Sequence, residues 1–278
     1  MLKIQKSPKR TQKTQKQIET CLRLQREIYA YLEAHPDLDE SVALSISTRL
    51  SYLRETFCLK TVPCPLEGVD RTKSMLSGPL FTSASHPQPI DAMGKKMLPV
   101  AQFDLQWINV LCEKDFQPAF FQCWFDHSKQ DGFIRLIPLT DIRADVLVEF
   151  EMSRTEDAGT WLIPEKWSYP YKSEVLQVIG LESEGMSCPG IVSRIVDYEV
   201  PDEIADLVAT LELEMNYSPT HLFGEFDSLH VSIEEMGPEE VCGCFMSIGS
   251  WGMMGEAQIF HWKNADGSNG FSFSSQPR

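Results

Sequence analysis

The sequence predicts an α+β protein, with a mainly antiparallel β-sheet core and an N-terminal helical hairpin. Three observations predict it. Residues 97–107 alternate apolar Ala101, Phe103, Leu105 and Trp107 with polar Gln102, Asp104 and Gln106, the period of two of a strand with one face on a core. Further short apolar runs outnumber helical ones, and their connections are too short for crossover helices. The first sixty residues carry apolar positions at helical spacing.

In chain order, residues 1–12 read as a frayed arm, and Lys3, Lys6, Lys9, Arg10, Lys13 and Lys16 make this end basic. Gln15 to Ala34 reads as a helix with Ile18, Leu22, Ile28, Tyr29 and Leu32 near one face. His35-Pro36-Asp37 breaks it. A second helix is expected from Asp37, with Glu40 as its capping-box partner and Val42, Ile46, Leu50, Leu53 and Phe57 on its apolar stripe. A short connection between two helices makes an antiparallel hairpin. The domain division expected is residues 1–60, arm and hairpin, and 61–278, a β-rich domain.

Residues 61–94 hold Pro63, Pro65, Gly78, Pro79, Pro87 and Pro89, and read as irregular. The 97–107 strand follows as the expected centre of the sheet. Residues 119–125, 132–138, 145–151 and 174–179 read as strands. Pro201-Asp202-Glu203 opens a helix to about Met215, its acids in the first turn, with Ile204, Leu207, Val208 and Leu211 on its apolar face. Residues 243–248, 256–262 and 271–273 read as closing strands. Val100-Ala101-Gln102-Phe103, Phe120-Phe121-Gln122-Cys123 and Val175-Leu176-Gln177-Val178 share a frame. A duplicated β unit and ordinary strand composition both account for it.

The chain has 278 residues and a net charge of -15, a balance that argues against nucleic acid as a partner. It contains no apolar run of the roughly 18 residues needed to span a membrane. No apolar segment follows the basic arm, so no signal peptide is expected. The eight cysteines sit mostly in apolar runs and form no C-x-x-C pair. Reduced thiols in the cytoplasm are expected. Cys242 and Cys244 resemble half a zinc site without a second half, and no cofactor is expected.

The charge is unevenly placed. Between Ile195 and Trp262 there is no Lys or Arg, but there are fourteen acids, among them Asp202, Glu203, Asp206, Glu234, Glu235, Glu239 and Glu240. Such a span either pairs with bases elsewhere or faces a basic partner.

Three pieces in order resemble the YwqG-like family of bacterial proteins, a family of unknown function. Ser77-Gly78-Pro79 is similar to its Gly-Gly-x-Pro opening. Gly94-Lys95-Lys96-Met97-Leu98-Pro99-Val100-Ala101-Gln102-Phe103-Asp104-Leu105 is similar to its Gly-x-Pro-Met-x-x-x-Ala-Gln-(Ile/Phe)-(Asn/Asp)-Leu strand. Trp251-Gly252-Met253-Met254-Gly255-Glu256-Ala257-Gln258-Ile259-Phe260 is similar to its Trp-Gly-Asp-x-Gly segment, with Met253 where the family has an acid. The resemblance covers Ser77 to the C-terminus. It implies an α+β fold with β-rich halves and no established reaction. Relatives beside toxin genes imply an immunity role.

Several clusters are candidates for chemistry. Gln102 and Asp104 share the expected polar face of the 97–107 strand, where they would bond a ligand or neighbouring loops. With Glu256 they form the expected ligand-binding set. Asp126-His127 and the group His221, Glu225, Asp227 and His230 have metal-type or acid–base residues without a recognised spacing. Asp104 with Glu149 or Glu151 would imitate a carboxylate pair. No nucleophile elbow, P-loop or dinucleotide fingerprint is present. The loop at Gly249–Gly255 presents Trp251 either as an interface anchor or as a core residue.

The reading that follows is a non-enzymatic protein-binding protein. Its acidic C-terminal half grips a basic partner, such as a toxin it neutralises, with Glu234, Glu235, Glu239, Glu240 and Trp251 at the contact. The alternative is a small-ligand or carbohydrate-binding protein, or an enzyme, with a cleft near Gln102, Asp104 and Trp251. A third is an adaptor that self-associates through the hairpin.

Overall fold

The structure is a computed structural model. It describes residues 10–65, 68–126, 128–129, 131–150, 175–187, 200–215, 220–223, 241–251 and 255–276. The chain divides into two compact units, one of Leu59–Leu181 and Ile248–Arg278, the other of Lys9–Cys58 and Glu182–Ser247. It is α+β with a mainly antiparallel sheet.

In the second unit, α1 spans Gln12–Ala34, its start capped by Thr11, whose hydroxyl accepts from the Thr14 N–H. Cys21, Leu24 and Ile28 form its buried ridge. The expected stripe is therefore slightly rotated, and Leu22 lies on the exposed side. Helix α2, Glu40–Ser51, starts later than expected. Asp39 is its cap and accepts from Ser41 N–H at 2.9 Å and Val42 N–H at 3.2 Å. Glu40 is thus the first helical residue rather than a partner three residues inside. Val42, Ile46 and Leu50 are buried as expected.

Phe57 does not continue that stripe. The helix stops at Ser51, and the chain runs extended as β1, Arg54–Cys64, inside a stretch partly read as irregular. Phe57 pairs with Leu222 of β7, Thr220–Leu222, and packs edge-on against Phe223. The hairpin shares its core with a third helix, α4, Asp202–Glu214 (α3 is Leu105–Cys112, in the other unit). Leu24, Ile28, Ile46 and Leu50 meet Ile204, Val208 and Leu211 in one buried cluster. These two helices therefore share a compact unit with α4, far along the chain.

In the first unit, β2 is Met75–Leu76, β3 Leu98–Asp104, β4 Phe120–Asp126 and β5 Asp131–Ile137. β6 is Val175–Ser187, β8 Val241–Trp251, β9 Gly255–Lys263 and β10 Asn269–Gln276; β6 and β8 extend into the second unit. Hydrogen bonding orders the strands β10-β9-β8-β7-β1-β6-β2-β3-β4-β5. Strand β3 stands third from the β5 end of that order, not at its centre.

β3 also ends earlier than the alternation predicts. Asp104 caps α3, Leu105–Cys112, accepting from Gln106 N–H at 2.9 Å and Trp107 N–H at 3.2 Å. Leu105 and Trp107 are therefore helical. Residues 98–103 are all buried, so β3 has no solvated polar face. The strand expected at 145–151 is instead a 3-10 turn, Ala144–Val146, with a single bridge from Leu147 to Ser83, and Glu151 lies outside the described residues. The remaining expected strands are present.

β10 lies against β5 within this unit. A side chain at Gly132 would meet the Phe273 ring at 2.2 Å, so the bare backbone there is what admits Phe273.

Candidate functional site

A concavity lined by described residues lies in the second unit, a cleft of about 880 Å³. The early turns of α1 supply Lys13, Lys16, Gln17 and Thr20, at i, i+3, i+4 and i+7, the spacing of one helix face. β6 supplies Glu182 and Glu184, two apart and so on one face of the strand. Cys58 of β1 and Leu213 and Glu214 from the end of α4 complete it, with Thr14 and Ser183.

Gln17 organises these elements. Its Oε1 accepts from the Met186 N–H at 3.1 Å, and its Nε2 donates to the Glu214 carbonyl. It reaches β6 only because residue 185 is glycine. Gly185 has φ +115, and a Cβ there would overlap the Gln17 amide at 2.1 Å. Thr56 Oγ1 donates to the Gly185 carbonyl at 3.2 Å, holding β1 against β6 at the same point.

The electrostatics of the cleft are divided. Lys13 and Lys16 are exposed and join no ion pair among the described residues. Glu182 and Glu184 are half-buried on β6. Burial pushes the Cys58 thiol up, and the charges of Glu184 and Glu182 push it further. Cys58 therefore stays a neutral thiol at neutral pH and is no nucleophile. Ser183 is only 3% exposed, and its hydroxyl has no hydrogen-bond partner among the described residues. This set of groups suits binding rather than bond-making.

The residues singled out by sequence have other surroundings. Gln102 is 0% exposed and fully bonded. Its Oε1 accepts from Phe81 N–H at 2.8 Å and Gln122 Nε2 at 3.0 Å; its Nε2 donates to the carbonyls of Arg71 and Lys73. That uses both lone pairs and both hydrogens of the amide. Gln122 Oε1 accepts in turn from Arg135 Nε at 2.7 Å, and Arg135 Nη1 donates to the Pro87 carbonyl at 2.7 Å. The Arg135 guanidinium lies 5.5 Å over the Trp124 ring, and burial lowers its pKa to about 10, still far above neutrality. Gln102 thus ties the Pro-rich approach to β3 and β4. Asp104 is engaged as the α3 cap.

Asp126 accepts from Ser128 N–H, Ser128 Oγ and Lys129 N–H, closing the turn after β4. His221 is buried in β7 and faces Cys58 across the ladder. His127, Glu225, Asp227, His230, Glu234, Glu235, Glu239 and Glu240 lie outside the described residues. Trp251 ends β8 and Glu256 is the second residue of β9; only their backbones are described. Among the described residues no group of three His, Cys, Asp or Glu could hold a metal ion.

No known family model matches this chain, and no curated protein matches it.

The cleft residues were not apparent from sequence. Lys13 and Lys16 read as part of a basic arm, and nothing local links them to Glu182 and Glu184. The one available signal was the i, i+3, i+4, i+7 polar face of α1 opposite a helix stripe. The acidic span is partly visible: on α4, Asp202, Glu203 and Asp206 are exposed, and none forms an ion pair among the described residues.

Proposed function

We propose that this is a non-enzymatic protein-binding protein whose acidic C-terminal half docks a basic partner. In its specific form it is an immunity protein that neutralises a cationic toxin in the bacterial cytoplasm. The observation that carries the reading is the acidity of the 195–262 span, which has fourteen carboxylates and no Lys or Arg within it. The first two turns of α4 support it, since Asp202, Glu203 and Asp206 are solvent-exposed there. Like charges held together cost stability, and a basic partner gives that cost a use. Complementary charge steers the encounter and rejects acidic competitors. The resemblance to the YwqG-like family, with relatives beside toxin genes, agrees with it.

The test is a pull-down from the native host followed by kinetics on the retained basic protein. Glu234→Lys with Glu235→Lys, and Glu239→Lys with Glu240→Lys, should each lower the association rate by about tenfold at low salt and flatten its salt dependence. Unchanged rates and an unchanged salt slope would make the acids a solvated face and remove the reading.

A further inference from the structure

We propose that the stacked rings of Tyr31 and His35, flanked by the carboxylates of Asp37 and Glu203, seat an arginine side chain of the basic partner. The inference rests on the acidic docking reading and names one contact within it.

The stack is built by the end of α1. His35 is the C-cap, and its backbone N–H donates to the Tyr31 carbonyl at 3.1 Å. Its ring lies with Nδ1 2.9 Å from the same oxygen. A carbonyl can only accept, so the ring proton sits on Nδ1 and the imidazole is held in place. The two ring centroids are 4.0 Å apart, with 18° between the planes. His35 is exposed and Tyr31 half-buried, so the imidazole is the outer layer of the stack.

Negative charge converges on the same point. Gln17, early in α1, donates to the Glu214 carbonyl at the end of α4, so the packed pair runs antiparallel. The end of α1 therefore comes to the start of α4, and Tyr31 and Val200 pack against one buried cluster. Glu203 stands in the first turn of α4, and Asp37 follows His35 by two residues. Burial, then Glu203, then Asp37 push the Tyr31 hydroxyl up, so both carboxylates act on one ring. Both acids are exposed, and neither joins an ion pair among the described residues. The last turn of α1 has no basic residue, so the negative end of its dipole adds to the same potential.

A flat ring face between two carboxylates selects a cation and repels an anion. Between the two cationic side chains it selects arginine. An ammonium is a compact, strongly hydrated point charge. A guanidinium is planar and weakly hydrated, so it stacks on the imidazole while its edge bonds a carboxylate.

The experiment titrates the full chain, with 13C-labelled histidine and at low salt, with two end-blocked peptides of equal charge, tetra-arginine and tetra-lysine. The His35 ring signal, identified by its loss in His35→Ala, should shift saturably with tetra-arginine and far less with tetra-lysine. By calorimetry, His35→Ala should weaken tetra-arginine about threefold and leave tetra-lysine within error. That substitution is at an exposed position and keeps the capping backbone N–H. Asp37→Asn with Glu203→Gln should weaken both peptides. A His35 signal that follows the two peptides alike, or tetra-arginine affinity unchanged in His35→Ala, would overturn the proposal. Neither readout needs the native partner. A docking surface that fails in the pull-down leaves the peptide result standing, and a seat that fails with the peptides leaves the Glu234, Glu235, Glu239 and Glu240 reversals to judge the docking surface.

Discussion

At the scale of single residues, Gln102 shows how a polar side chain can be wholly structural. Its amide serves two donors and two acceptors from three segments, at full burial. Gln102→Leu keeps the volume roughly and removes every one of those bonds. It leaves the Phe81 N–H and two carbonyls without partners, and each such group costs about 1–3 kcal/mol. We expect Gln102→Leu to lower unfolding free energy by about 3 kcal/mol or more, read as a shift of the urea midpoint at unchanged slope. A midpoint within error of wild type would show that water replaces the amide. The sequence marked Gln102 as a strand residue on a polar face, bonding either a ligand or neighbouring loops, and the segments at Arg71, Lys73 and Phe81 are its partners. An Ala-Gln-Phe-Asp alternation looks the same whether its polar row meets water or a buried network. The repeated Gln frame was the better clue. Gln102 and Gln122 are direct cross-strand partners, and Met75 is opposite both Gln102 and Gln177. The three glutamines of the repeat therefore fall in one row across β4, β3, β2 and β6.

At the scale of elements, the errors fall where two periodicities overlap. Phe103, Leu105 and Trp107 continue a period of two, while Leu105, Ile108, Leu111 and Cys112 fall at helical spacing and are the buried set. Asp104 decides between them, because its carboxylate caps the N–H groups of Gln106 and Trp107. Phe57 is a second case: it stands four residues after Leu53, a helical interval, yet Thr56 and Phe57 are buried on a strand. Asp39, not Asp37, ends the loop before α2 for the reason that Asp104 ends β3. The role of Asp104 gives a direct test. Asp104→Ala should destabilise the protein by about 1 kcal/mol, and Asp104→Asn, which still accepts from the same N–H groups, should recover most of it. If Asn and Ala cost the same, the charge or another contact of Asp104 matters more than the cap.

At the scale of the whole molecule, the fold class was legible because strand count and connection length are local properties summed along the chain. The two units were not. The second brings α1 and α2 to α4 through residues whose apolar faces are individually ordinary. The cleft inherits that opacity, since its cations and its carboxylates are some 170 positions apart in sequence. Charge is the one global property readable from composition, and it carries the last prediction. A net charge of -15 makes the native state repel itself, and added salt screens that repulsion, with a Debye length falling from about 30 Å at 0.01 M to about 10 Å at 0.1 M. The melting temperature should therefore rise when NaCl goes from about 0.01 to about 0.3 M, a range in which screening dominates over salting-out. The rise should shrink in a triple variant, Asp206→Lys with Glu234→Lys and Glu235→Lys, because each reversal removes two charges' worth of imbalance. Asp206 lies on the exposed face of α4 beyond the first turn, so its loss leaves the helix dipole partners Asp202 and Glu203 in place. A melting temperature flat in salt, or a slope unchanged in the triple variant, would mean that the acids are already compensated within the native fold. Their surplus would then be unavailable to steer a basic partner.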